Sequence, residues 1–132
     1  MSRPRKVKLT RLELEVMEGF WKLGRAAIRE VLEELPGKKR PAYTTIQTVV
    51  YHLEQKGAVR RVKKIGNAHL FEPLVSRKTA IESLISEFLG LLGGSARPLM
   101  AHLVETQQVS LEDLKEMEKM LNLLEKHPSH QE

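Results

Sequence analysis

The chain has 132 residues, a net charge of +5, 41% hydrophobic and 30% charged residues, and no cysteine. That composition suits one folded domain, or a small domain with an appendage, in a reducing cytoplasmic setting; disulfides and thiolate metal sites are excluded. Glu82 and Glu87 interrupt the most apolar region and the basic start "MSRPRKVKLT" has no apolar core, so neither membrane insertion nor a secretory signal is expected.

The charge is unevenly spread. Residues 1–75 hold 16 Lys and Arg against 8 Asp and Glu, a net +8, whereas residues 76–132 hold 6 against 9, a net −3. Such asymmetry points to a nucleic-acid-binding domain over 1–75 joined to a second domain over 76–132.

Thr10 with Glu13 fits a capping box, and Leu12, Val16, Phe20 and Leu23 recur at helical spacing beside Met17 and Trp21. A helix over about 10–23 follows, stopped by Gly24, with Trp21 in the core. Residues 27–35 give a second helix on Ile28, Val31, Leu32 and Leu35, ended by Pro36-Gly37. The loop after it groups Lys38, Lys39 and Arg40.

The next stretch, "AYTTIQTVVYHLEQKG", is rich in strand formers but fails the test for a strand, because both faces would mix polar and apolar residues. At helical spacing Ile46, Val49, Val50 and Leu53 fall on one side. Thr44, Gln47, Thr48, Tyr51, His52 and Gln55 fall on the other, and Thr44 with Gln47 suggests a second capping box. A solvent-facing helix ordinarily carries Glu and Lys. This one offers hydroxyls, amides and a tyrosine, with Glu54 only at the flank. Such side chains approach a negatively charged groove without repulsion and can bond to base edges or phosphates. Thr44, Thr45 and Thr48 are expected to reach bases, with Tyr43, Gln47 and Tyr51 nearer the phosphates.

Val59–Lys63 and His69–Glu72 read as two strands joined by a Gly66-Asn67 turn and closed by Pro73. Arg60, Arg61, Lys63 and Lys64 make this hairpin basic. With Lys38, Lys39 and Arg40 they would supply the sequence-independent phosphate contacts. The fold expected is mostly α with a small β-hairpin: a winged helix-turn-helix followed by a helical domain.

In the second domain Ile81, Leu84, Ile85 and Phe88 form one apolar face, with Leu89 beside them. Gly93-Gly94 breaks the chain, and a short helix is expected from Pro98 to about Gln107. Ser110 with Asp113 opens the last helix, on which Leu111, Leu114, Met117, Leu121 and Leu124 are spaced like a coiled-coil seam. So few residues cannot easily bury these side chains alone, so a homodimer with the two apolar sets as its core is expected, ahead of the rival in which these helices fold back on the winged helix as one monomeric core.

The segments "LTRLELEVMEGFW" (9–21), "TTIQTVVYHLEQKGAVRR" (44–61) and "HLFEP" (69–73) resemble the penicillinase-repressor family, which includes the regulators of methicillin resistance. The likeness covers residues 9–73 well, and the remainder is similar in layout. It implies a homodimeric repressor on palindromic, double-stranded DNA operators, not an enzyme. In several relatives a membrane-bound sensor protease relieves repression by cutting an Asn-Phe pair in the dimerisation domain. Here His102-Leu103 occupies the corresponding position. Copper-responsive relatives use a C-terminal cysteine cluster that this chain lacks.

Of five histidines, His52, His69 and His102 stand apart, and His127 and His130 flank Pro128. No set has convincing metal-ligand spacing, and neither a nucleophile–base pair nor a phosphate loop occurs, so no metal, cofactor or catalysis is expected. Two other readings of the residues stay open: an adaptor that binds protein through the third helix or wing, and a repressor that responds to a small ligand.

Overall fold

A computed structural model describes residues 7–38 and 40–126. Helix α1 (Arg11–Leu23) starts at the capping box read from the sequence: the Glu13 backbone N–H donates to the Thr10 hydroxyl at 3.2 Å, and the Thr10 N–H donates to the Glu13 carboxylate at 2.9 Å. Helix α2 (Ile28–Glu34) and helix α3 (Tyr43–Lys56) follow. Strands β2 (Val59–Ile65) and β3 (Ala68–Pro73) form the hairpin. Both run longer than the sequence suggests, because cross-strand pairing continues to Ile65 and Ala68 at the turn. A bulge between Arg61 and Lys63 shifts the register.

The sheet has a third strand that periodicity does not show. Ala26 and Ala27 form β1 (Ala26–Ala27), which pairs antiparallel with β3 at Phe71 and Leu70, giving the order β1-β3-β2. Two alanines carry no period-2 signal; tertiary pairing alone makes them a strand.

The third segment is a helix despite its strand formers. Ile46, Val50 and Leu53 are fully buried and Val49 nearly so, which outweighs local preference. Gly57 closes α3 in the left-handed region, φ 80°, where a Cβ would be strained. The capping box expected at Thr44 and Gln47 is absent. The helix begins two residues earlier than a Thr44 cap implies, at Tyr43, with Ala42 as a cap that makes no side-chain bond, so Thr44 already lies in the first turn.

The chain divides into two compact units between Phe88 and Leu89, inside helix α4 (Arg77–Leu91). In the first unit Val16, Met17, Phe20, Val31, Ile46, Leu53 and Phe71 form the centre of the core, with Leu12 and Trp21 partly buried against it. Phe20 and Phe71 meet edge to face at 6.4 Å. Helices α1 and α2 approach closely at Gly19, where an added Cβ would stand 2.9 Å from Val31 Cγ1. The start of α4 belongs to this unit. The Trp21 indole N–H donates to the Val75 carbonyl at 2.9 Å, Arg77 forks onto Glu18, and Ala80 is buried. These last two contacts lie beyond the boundary at 75/76 expected from charge.

In the second unit, helix α5 (Arg97–Glu105) and helix α6 (Leu111–Lys126) contain no buried residue. The Ser110–Asp113 cap expected for α6 forms: the Ser110 N–H donates to Asp113 at 2.9 Å and the Asp113 N–H to the Ser110 hydroxyl at 3.0 Å.

One charge lies in the first unit's core. Glu13 is buried, and accepts from Lys56 Nζ at 2.5 Å as well as from the Thr10 N–H. Burial alone would raise its pKa, but the Lys56 bond, the Thr10 N–H and the Lys56 charge together hold the carboxyl below its ordinary value. A carboxyl depressed on folding stabilises the fold above its unfolded pKa, and that contribution is lost as pH falls through the folded value. Lys56→Met strands the carboxylate, and is expected to cost roughly 1–2 kcal/mol at neutral pH, given the solvent that reaches Lys56. In urea unfolding the gap between variant and parent should shrink as pH falls below about 4, where the unfolded carboxyl takes up its proton. A gap that stays constant with pH would mean that the pair contributes nothing.

Candidate nucleic-acid interface

The apolar stripe of α3 fixes which side chains face outward. Tyr43, Thr44, Thr45, Thr48, Tyr51, His52 and Gln55 are exposed, and Gln47 is half-buried. No carboxylate stands among them. The Thr48 hydroxyl donates to the Thr44 carbonyl at 3.1 Å, which commits its proton to the helix and leaves the oxygen lone pairs and the methyl as contact surface.

A groove of about 490 Å³ lies beside one edge of this face, lined by Tyr43, Gln47 and Tyr51 of α3, by Ile65, Asn67 and Phe71 of the wing and by the acids Glu30 and Glu33 of α2; Thr44, Thr45 and Thr48 are not among its lining residues. Arg29 of α2 lines it too, with its guanidinium 5.2 Å from the Tyr43 ring centroid. Sequence reasoning missed Arg29: it sits in "AIREVLEEL", where the apolar stripe was the visible signal. Its distance from the other cations along the chain hid the fact that α2 and α3 bring it beside Tyr43.

The seven cations expected to meet phosphates divide. Lys38, Arg40, Lys63 and Lys64 are exposed and make no ion pair among the described residues. Lys39 lies outside the described residues. Arg60 and Arg61 are engaged within the fold. Arg60 pairs with Glu72 at 2.6 Å, and Glu72 also holds Arg25 at 3.1 Å. The hydrogen bond from Arg60, then that from Arg25, keeps the Glu72 carboxyl below its ordinary value. Arg61 forks onto Glu54 at 3.2 and 3.0 Å and lies over two rings, 5.4 Å from the Tyr51 centroid and 5.2 Å from that of Phe71. Its pKa is raised chiefly by the Glu54 hydrogen bond. Arg61 therefore ties the wing to α3. The "flank" acid of the sequence is its partner.

Among the described residues no group of three His, Cys, Asp or Glu side chains could hold a metal ion, and no helix is long and apolar enough to cross a membrane. His127 and His130 lie outside the described residues. His102 is exposed and Leu103 half-buried within α5.

Three helices, a small antiparallel sheet with a two-residue hairpin turn, and an uncharged outward helix between cations define a winged helix-turn-helix of the DNA-binding class. Residues 9–123 match the penicillinase repressor family. The chain is 30% identical over 116 residues to the penicillinase repressor of Bacillus licheniformis, covering 87% of this chain and 88% of that one. It is 32% identical over 104 residues to the transcriptional regulator BlaI of Mycobacterium tuberculosis, covering 74% and 75%. The solution structure of the DNA-binding domain of the repressor BlaI is similar at 28% identity with a TM-score of 0.49, covering 58% of this chain and 93% of that one. The chain belongs to the penicillinase repressor family of transcriptional regulators, which are DNA-binding repressors and not enzymes.

Arg61→Ala removes the fork and both ring contacts. It is expected to cost about 0.5–1.5 kcal/mol, the salt bridge being discounted for its exposure. Amide exchange in β2 and β3 should quicken while that in α1 is unchanged. Equal protection of the hairpin in variant and parent would show that the wing is held by the sheet alone.

Proposed function

We propose that this repressor binds a palindromic operator as a homodimer, with α3 of each copy in the major groove. The observation that carries the reading is the outward face of α3: hydroxyls, two amides, a histidine and two tyrosines, free of acids, set between cations that have no acid partner among the described residues. Thr44, Thr45 and Thr48 take the base contacts, and the Thr48 methyl is suited to a thymine methyl. Tyr43, Gln47 and Tyr51 reach the phosphate backbone, as do Lys38, Arg40, Lys63, Lys64 and, from α2, Arg29. Arg60 and Arg61 contribute positive field and hold the wing in place.

The apolar surface of the later helices supports the dimer. Ile85 and Phe88 of α4 are exposed, as are Leu111, Leu114, Met117, Leu121 and Leu124 of α6, while Ile81 and Leu84 are half-buried. A helix of 16 residues with no buried side chain has little to hold it, and pairing with a second copy would supply the missing burial. Linking two reading heads makes the second half-site contact intramolecular, which raises affinity without new contacts. A cut at His102-Leu103, inside α5, would sever α6 from the DNA-binding unit. Derepression by that route would need a membrane sensor protease as partner.

Thr48→Glu tests the reading. It introduces a good helix former but places an acid in the groove, and is expected to weaken specific operator binding by roughly 1–3 kcal/mol with the fold intact. Binding to unrelated DNA should fall much less. An operator titration that matches the parent would remove α3 from the interface.

A further inference from the structure

The wing tip combines features that phosphate contact alone does not call for. Ile65 is 59% exposed, more than any other large hydrophobic residue described in the first unit. It ends β2, pairs with Ala68 across the Gly66-Asn67 turn, and follows Lys63 and Lys64, which have no acid partner among the described residues. Ile65 and Asn67 line the same groove as Tyr43, Gln47 and Tyr51. They therefore stand beside the Tyr43–Tyr51 edge of α3, the edge next to the threonines, across a groove that Glu30 and Glu33 of α2 also line. An apolar side chain there gains little packing in the free chain, yet it directly follows two lysines.

We propose that Ile65, with Asn67 beside it, enters the minor groove flanking each half-site and selects A·T over G·C there. The inference rests on the operator-binding reading above. With α3 in the major groove, a hairpin alongside lies over the adjacent minor groove, and Lys63 and Lys64 are drawn to the strong negative potential of a narrow A·T tract. The floor of that groove shows only acceptors at A·T pairs, whereas guanine adds a protruding amino group. An isoleucine against that group blocks it sterically and leaves its donor unpaired. Against an A·T floor, where no amino group protrudes, the same side chain can make close apolar contact. Asn67 can donate its side-chain amide to the adenine and thymine acceptors.

The test uses the full chain and an operator selected from random-sequence duplexes, with the flanking pairs under the wing located by footprinting. Those pairs are then set to A·T, G·C or inosine·C, which has the major-groove pattern of G·C but no minor-groove amino group. Changing A·T to G·C is expected to weaken binding about fivefold or more, and inosine·C is expected to restore it. Ile65→Thr keeps a β-branched residue in the strand, and should lose most of the discrimination among the three flanks, Asn67 retaining the remainder, with the parent's salt dependence. Equal binding of the parent to all three flanks, or full discrimination retained by Ile65→Thr, would overturn the proposal. A parent that prefers no duplex over random DNA would instead defeat the operator-binding reading itself.

Discussion

Burial of Ile46, Val49, Val50 and Leu53 governs the rest of the interface. These four side chains take a segment of strand formers, wind it as a helix against α1 and α2, and so decide which residues remain outside. A shift of one position in that stripe would turn every outward side chain by about 100°. The backbone that carries the polar face is therefore fixed by the core behind it. Side chains that are to discriminate between bases need that rigidity, because the hydrogen bonds they offer are directional and individually small.

The cations divide by task in a way that charge counting cannot reveal. Arg25, Arg60 and Arg61 meet Glu72 and Glu54, and Arg61 also lies over Tyr51 and Phe71. A guanidinium suits this role because its planar fork matches a carboxylate while its face stacks on rings. The lysines of the wing have no acid partner among the described residues. An ammonium on a flexible stem is a better probe for phosphates of varied position. The net +8 of residues 1–75 thus overstates the charge free to meet a ligand.

Most of the fold was legible because it rests on periodicity and caps. Thr10 with Glu13, Ser110 with Asp113, Gly24, Gly57 and the Gly66-Asn67 turn each act within a few residues, and each is where local chemistry put it. Most of the misreadings share one origin, contacts between elements far apart along the chain. Strand β1 exists only because Ala26 and Ala27 lie beside Phe71 and Leu70, far along the chain. The pairing of Arg61 with Glu54 and the approach of Arg29 to Tyr43 likewise depend on elements meeting in space. The start of α3 was misplaced because Thr44 and Gln47 satisfy the cap pattern while Ala42 takes the position without a side-chain bond. The leucines of α6 were legible as a seam, and α6 has no buried residue.

The central claim, two copies of α3 placed symmetrically in the major groove, can be tested directly because the chain lacks cysteine. Gln55→Cys puts a single thiol on the exposed face of α3, where a tethered DNA-cleaving reagent can be attached. Mapping the cuts on the operator at single-nucleotide resolution should give two equal clusters, related by the operator's two-fold axis and each centred in a major groove. A single cluster, or cuts spread without symmetry while the protein still binds the operator, would contradict it.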